Sequence, residues 1–243
     1  MIDLKKGDCL ELMKLIPDGS IDAIITDPPY GTTACKWDSV IDFKLMWEQL
    51  NRIIKPNGAI VLFGSEPFSS ALRMSNIKNY KYDWKWIKSR PSGHLNAKRM
   101  PMKNIEDVLV FYKKQPTYNP QFTIGKPNNV KDGSIRKTKA TNNIYGEFKN
   151  TIQKRTDKKY PKQSQYFNQQ DPRKIIHPTQ KPVALMEYLI KTYTNENETV
   201  LDFTMGSGST GVAAKNLNRN FIGIEQDEKY FNIAQDRLNS TLF

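Results

Sequence analysis

The sequence predicts an α/β protein built on a mostly parallel sheet, and three observations predict it. Short apolar runs of strand length alternate with helical patterns in both the first and the last third of the chain. A glycine-rich turn stands between one of these strands and the helix after it, and an acidic residue closes the next strand. Strands separated by helices are joined by crossovers, so the sheet is parallel and needs helices on both faces.

Ile21-Asp22-Ala23-Ile24-Ile25-Thr26 reads as a short buried strand running into Asp27-Pro28-Pro29-Tyr30. A helical stretch from Phe43 to Ile54 puts Leu45, Met46, Leu50, Ile53 and Ile54 on one face, and Lys55-Pro56-Asn57-Gly58 ends it. Ala59 to Phe63 is a second buried strand, and Tyr82 to Ile87 and Val108 to Tyr112 are two more. Later in the chain, Pro182 suits the first turn of a helix to about Tyr193, with Val183, Met186, Leu189 and Ile190 at helical spacing. The strand Thr199–Phe203, a helix through Val212, Ala213, Ala214 and Leu217, the strand Phe221–Glu225 and a helix from about Asp227 complete the pattern.

At 243 residues the chain can bury one substantial core. It is 38% hydrophobic and 26% charged, without an apolar run of bilayer length. The opening residues have no apolar secretion segment. Cys9 and Cys35 form neither a metal-ligand spacing nor a disulfide framework, so a cytoplasmic location is expected and both read as packed thiols. No metal is expected.

The net charge of +12 biases the partner toward a polyanion. From Lys113 to Lys174 there are 15 basic residues against 4 acidic ones, while the rest of the chain is nearly balanced, 22 against 21. That stretch is also rich in Asn, Gln, Thr and Pro, as a solvated loop would be. A basic loop can equally order on phosphate. Three blocks result: 1–112, a basic insert at 113–174, and 175–243.

Gly206-Ser207-Gly208-Ser209-Thr210-Gly211 is a literal GxGxxG between strand and helix, and Glu225 follows about 20 residues on, as the dinucleotide fingerprint asks. Glycines let the backbone turn sharply and approach a ligand, and a carboxylate at the second strand's end accepts ribose hydroxyls. This motif does not choose between a nicotinamide dinucleotide and S-adenosylmethionine.

Asp27-Pro28-Pro29-Tyr30 supplies what that motif lacks. It leaves a buried strand at its carboxyl edge, where open α/β sheets bind ligands. An exocyclic amine is a poor nucleophile because its lone pair is delocalised into the ring. A carboxylate and a backbone carbonyl that each accept one N–H favour pyramidal nitrogen. Paired prolines stiffen the turn and remove two donors. Asp27 is placed as the group that orients the amine and helps take up its proton, the Pro28 carbonyl as the second acceptor, Pro29 as part of the rigid turn, and Tyr30 as a stacking face.

With these motifs in this order the sequence resembles the β group of amino DNA methyltransferases, in which the catalytic motif precedes the cofactor motif. Asp202-Phe203-Thr204-Met205 followed by the glycine run is similar to the cofactor loop, His177-Pro178-Thr179-Gln180-Lys181-Pro182 to the segment contacting the methionine carboxylate, and Gly7-Asp8-Cys9 to the position meeting the adenine. The resemblance implies S-adenosyl-L-methionine as cofactor, held by Asp8, Asp27, Thr179, Lys181, Asp202, Phe203, Gly206, Gly208, Ser209, Thr210 and Glu225. Within that set Glu225 goes to the ribose, Thr179 and Lys181 to the methionine end, and Phe203, Gly206 and Gly208 to the cofactor floor. His177 reads as a structural part of its motif, since Asp27 already serves the amine.

The implied fold is a Rossmann-like methyltransferase sheet of seven strands, one antiparallel, with circularly permuted motif order, and residues near 1–4, 22–26, 59–63, 82–87, 108–112, 199–203 and 221–225 supply seven candidates. The basic stretch falls where this group carries its target-recognition region. Double-stranded DNA is the implied partner, its phosphates met by residues such as Lys137, Lys139, Lys154, Arg155, Lys158 and Lys159. Its target base must be flipped out of the stack. An initial Asp in the tetrapeptide is the usual choice for adenine N6 and Ser for cytosine N4, so adenine is expected and cytosine N4 is the alternative. Methylation at cytosine C5 uses a cysteine, typically after proline, and the sequence has no Pro-Cys pair. Related enzymes are often homodimers; that state and a separate restriction endonuclease partner are left open. A nicotinamide-dependent oxidoreductase would explain the glycines and Glu225 but leave the tetrapeptide idle. A non-catalytic DNA-binding module would explain the charge without needing an acid at position 27.

Overall fold

The computed structural model describes residues 1–32, 38–136, 151–169 and 180–240. The chain forms two compact units, one of residues 1–119 with 162–243 and one of residues 120–161. In the first, the elements run β1 (Ile2–Lys6), α1 (Cys9–Met13), β2 (Ile21–Thr26), α2 (Phe43–Ile53), β3 (Ile54–Gly64), α3 (Phe68–Ser75), β4 (Tyr80–Ser92) and β5 (Lys103–Phe111). The second holds four two-residue strands, β6 (Thr123–Ile124), β7 (Ile135–Arg136), β8 (Thr151–Ile152) and β9 (Lys158–Lys159). These make two small antiparallel pairs, β6 with β9 and β7 with β8. The first unit resumes with β10 (Ser164–Phe167), α4 (Val183–Tyr193), β11 (Thr199–Asp202), α5 (Ser209–Asn216), β12 (Asn220–Glu225) and α6 (Glu228–Asn239).

One eight-stranded sheet organises the first unit, in the order β1-β12-β11-β2-β3-β5-β4-β10. Only β5 runs against its neighbours. The seven strands that the sequence predicts are present. The eighth, β10, comes from within the basic stretch and pairs in parallel with β4, Ser164 opposite Lys85.

The central strands alternate between two buried faces, as a sheet covered on both sides requires. Ala23 and Ile25, with Ala59, Val61 and Phe63, pack against Leu185, Met186, Leu189 and Ile190 of α4, Ala213 and Ala214 of α5, and Ala234 and Leu238 of α6. Ile24, Ile60 and Leu62 face Met13 of α1, the buried side of α2, and Phe68 and Leu72 of α3. On α2 the buried apolar positions are Met46, Trp47, Leu50 and Ile53, whereas Leu45 is 48% exposed. The expected face was one position out at its first turn because Trp47, the larger apolar surface, takes the inward place, and Ile54 already belongs to β3.

The order of the strands decides where a ligand can bind. From β2 the chain crosses to β3 on one side, and from β11 it crosses to β12 on the other. Crossovers leaving in opposite directions open a crevice at the carboxyl ends of those two adjacent strands. Asp27 follows β2 and Phe203 follows β11, so motifs 175 or more residues apart in sequence meet there. Among the described residues no helix is long and apolar enough to cross a membrane.

Helix α4, which directly follows Lys181 and Pro182, is anchored to the sheet by a buried polar contact. Tyr193 Oη accepts from Trp84 Nε1 at 2.7 Å and lies 2.9 Å from Tyr82 Oη. Replacing Tyr193 by Phe strands the indole N–H in a closed interior, so Tyr193→Phe is expected to lower the unfolding free energy by about 1–3 kcal/mol in urea titration. A loss under about 0.5 kcal/mol would show that the anchor contributes little beyond packing.

Candidate active site

A cavity of about 630 Å³ opens at the crevice between β2 and β11. Its wall includes Asp27, Pro28, Pro29 and Tyr30 from the turn after β2, and Asp202, Phe203, Gly206, Ser209 and Thr210 around the glycine turn. Asp8 and Glu225, at the ends of the paired strands β1 and β12, and Lys181, ahead of α4, complete it. The described residues predicted for catalysis and for the cofactor thus converge, with one exception. Gly208 is absent from the cavity wall, and at its φ of +78° a Cβ would lie 3.0 Å from Ala234 Cβ on α6. Its missing side chain lets α6 approach closely. Thr179, His177, Lys137 and Lys139 lie outside the described residues.

The glycine turn is fixed by carboxylates. Glu225 accepts from Gly206 N–H through Oε2 at 2.9 Å and from Asp227 N–H through Oε1 at 2.8 Å. Burial raises its pKa. Asp8 caps α1 by accepting from the Leu10 and Glu11 N–H groups. Beside it, burial and the Asp8 charge push the Cys9 thiol up to about 12, so it stays protonated and packs.

Asp202 is 3% exposed and has no cation partner among the contacts that hold it. Its Oδ1 accepts from Thr26 Oγ1 and from Thr204 N–H, and its Oδ2 from Thr210 Oγ1. Thr26 Oγ1 in turn accepts from Phe203 N–H at 3.0 Å, and Thr204 Oγ1 donates to the Asp27 carbonyl at 3.1 Å. The Asp27–Tyr30 turn and the glycine turn are therefore bonded to each other.

Asp27 is enclosed by charge. Its Oδ2 accepts from Lys181 Nζ at 2.5 Å and its Oδ1 from Tyr30 Oη at 2.6 Å. Lys181 Nζ also lies 3.4 Å from Glu106 Oε2, and Lys88 Nζ is 3.1 Å from Glu106 Oε1. Burial raises the Asp27 pKa, and Lys181 opposes it. For Glu106 burial acts upward too, but the Lys181 and Lys88 charges outweigh it and the carboxyl is held low. Lys181, although buried, is held charged by Asp27 and Glu106. The Tyr30 ring stacks on Phe68 at 4.9 Å between centroids. Asp38 accepts from the Gly31 and Thr32 N–H groups at 2.9 Å and sets the path of the chain after the tetrapeptide.

Sequence reasoning missed Thr26, Lys88, Glu106 and Asp38. Only Glu106 carries a signal in the sequence, an acid just ahead of the apolar run Val108–Phe111, and the structure places it within β5.

Residues 21–236 match the family model of the N6/N4 methyltransferases, described as DNA methylase. The chain belongs to this DNA methylase family. It is 30% identical over 252 residues to the type II methyltransferase M.HpaI of Haemophilus parainfluenzae, covering 96% of this chain and 73% of that one. It is 29% identical to M.HinfI of Haemophilus influenzae, covering 96% and 67% respectively. Among solved structures, the M1.HpyAVI–SAM complex matches with a TM-score of 0.66 at 32% identity, over 99% of this chain and all of that one. The cytosine-N4-specific PvuII DNA methyltransferase shares the fold at 17% identity, with a TM-score of 0.69. The methyl donor of the family is S-adenosylmethionine. The cavity of this methylase fits such a ligand: Ser209 Oγ is buried there without a hydrogen-bond partner, and the Glu225 carboxylate and the Phe203 ring share its wall.

Neutral donors satisfy Asp202 without cancelling its charge, and burial raises its pKa to about 6. The folded methylase then holds this proton more tightly than the unfolded chain, whose Asp titrates near 3.9. The stability this proton gives is fully present below about pH 4 and is lost as pH rises through about 6. Urea denaturation of wild type and Asp202→Asn should show the wild type gaining, relative to the variant, up to about 3 kcal/mol on going from pH 7 to pH 4. A difference that stays constant across that range would contradict it.

Proposed function

We propose that this methylase transfers a methyl group from S-adenosylmethionine to adenine N6 in double-stranded DNA, acting on a base flipped out of the duplex. One observation carries the reading: the Asp27–Tyr30 turn and the Glu225 and Gly206 wall border a single cavity. A methyl acceptor and a methyl donor could meet in it without crossing protein. Asp as the first residue of the tetrapeptide is what favours adenine over cytosine.

The bound cofactor supplies an electrophilic methyl group. Glu225 would hold its ribose and Asp8 its adenine, and Ser209 Oγ has an unused hydrogen-bonding capacity on the same wall. The chain's own task is to make the amine nucleophilic. Asp27 accepts one amine N–H, the Pro28 carbonyl accepts the other, and the nitrogen lone pair is released from the ring. The proton lost on methylation passes to Asp27, whose carboxyl burial has already made a better proton acceptor. No covalent enzyme intermediate is needed. Tyr30, fixed by Phe68 on one side and by its bond to Asp27, would offer its remaining surface to the base.

The unit of residues 120–161 is proposed to read and hold the DNA, as the core of a recognition insert spanning 113–174. Lys154, Arg155 and Lys158 are exposed on it, and Lys159 is half-buried. Such cations grip phosphates without reading sequence.

Incubating the protein with labelled S-adenosylmethionine and mixed-sequence DNA, then digesting to nucleosides, tests the assignment. N6-methyladenine is expected, and Asp27→Ala should lower its formation at least about 100-fold. N4-methylcytosine in its place would overturn the choice of base, and absence of transfer would overturn the DNA substrate.

A further inference from the structure

Asp27 is the acceptor on which the proposed reaction turns, yet both its oxygens are engaged, by Tyr30 Oη and by Lys181 Nζ. A carboxylate gripped by an ammonium at 2.5 Å is a poor acceptor for a neutral amine, because its charge is already drawn to the cation. Something has to take Lys181 away, and releasing a buried ammonium without an anion to receive it is costly.

Glu106 answers both points. Its Oε1 is held by Lys88 Nζ at 3.1 Å, so its position is fixed. Its Oε2 is buried and, among the described residues, makes a long ion pair to Lys181 Nζ at 3.4 Å. The ammonium sits 2.5 Å from Asp27 Oδ2, so it is shared unequally between the two acids and has room to close on Glu106. Here a loosely engaged acceptor lies next to the one donor that must move. Two carboxylates and two ammonium groups balance, so a shift of Lys181 from one acid to the other leaves the net charge of the cavity unchanged.

We propose that Glu106 is a positioning residue: it is the alternate seat for Lys181, drawing the ammonium off Asp27 so that Asp27 can accept the target amine. The proposal rests on the reading of Asp27 as the amine's acceptor and holds for either exocyclic amine. Glu106 acts through Lys181 rather than on the reacting nitrogen. Substituting Glu106→Gln removes the charge at nearly constant volume and leaves Lys181 on Asp27.

The test compares single-turnover methyl transfer and calorimetric S-adenosylmethionine affinity in the full chain. For Glu106→Gln the rate constant is expected to fall about 10- to 100-fold with the cofactor Kd within threefold of wild type. Glu106→Asp, which keeps the charge, retains more of the rate than Glu106→Gln. Once Lys181 is gone the seat is irrelevant, so Lys181→Met and Lys181→Met/Glu106→Gln have rates within threefold of each other. A Glu106→Gln rate within threefold of wild type overturns the proposal. So does a loss matched by weakened cofactor binding, or losses that multiply in the double variant. If circular dichroism shows Glu106→Gln unfolded, Glu106→Asp carries the same cycle: coupling to Lys181 supports the alternate seat and independence overturns it. A wild type that transfers no methyl group to DNA defeats the functional reading instead, which keeps the two failures distinct.

Discussion

The buried carboxylate of Asp202 is the interaction on which the rest of the site depends. It ends β11, and its oxygens are filled by the hydroxyl of Thr26 on β2, the hydroxyl of Thr210 in α5 and the backbone N–H of Thr204. One side chain thereby ties together the strand that presents Asp27, the glycine turn and the helix after it. A cation in its place would have neutralised the charge; neutral donors satisfy it and leave it costly, which is why its pKa is raised. The cost is offset by precision. Asp27 and Phe203 belong to adjacent strands that the chain visits at opposite ends of its sequence, and only cross-strand bonds can hold their relative position.

Charge is handled differently a few ångströms away. Asp27, Glu106, Lys181 and Lys88 are all largely buried, and each anion faces an ammonium group. Such an arrangement contributes little to folding once desolvation is counted. It does allow a cation to change partners without exposing an unpaired charge, and that is a functional property rather than a stabilising one. The site therefore combines a rigid brace at Asp202 with an adjustable pair at Lys181.

The basic stretch divides in a way that its composition hides. Residues 120–161 fold on themselves as short antiparallel pairs, whereas Ser164–Phe167 joins the main sheet beside β4. Trp86 Nε1 donates to the Phe167 carbonyl at 3.0 Å, which closes that edge. A strand this short, with only alternate residues partly buried, leaves little trace in hydropathy.

By itself the sequence determined the alternation of strands and helices, the glycine turn with Glu225 at the end of the next strand, and the tetrapeptide at Asp27. Those are local properties: apolar period, turn chemistry and residue spacing are written in consecutive positions. It also located Lys181 through a contiguous motif. Tertiary structure alone decided the partners. Thr26 looks like an ordinary strand residue until β11 is placed beside it, and Glu106 like a stray acid until the pairing of β4 with β5 sets Lys88 on one side of it and the turn before α4 brings Lys181 to the other. Gly208 fits a cofactor motif in sequence, and only the fold shows that α6 also approaches it closely. Hydrogen bonds and ion pairs between residues more than 150 positions apart depend on strand order, and strand order is not a property of any local stretch of chain.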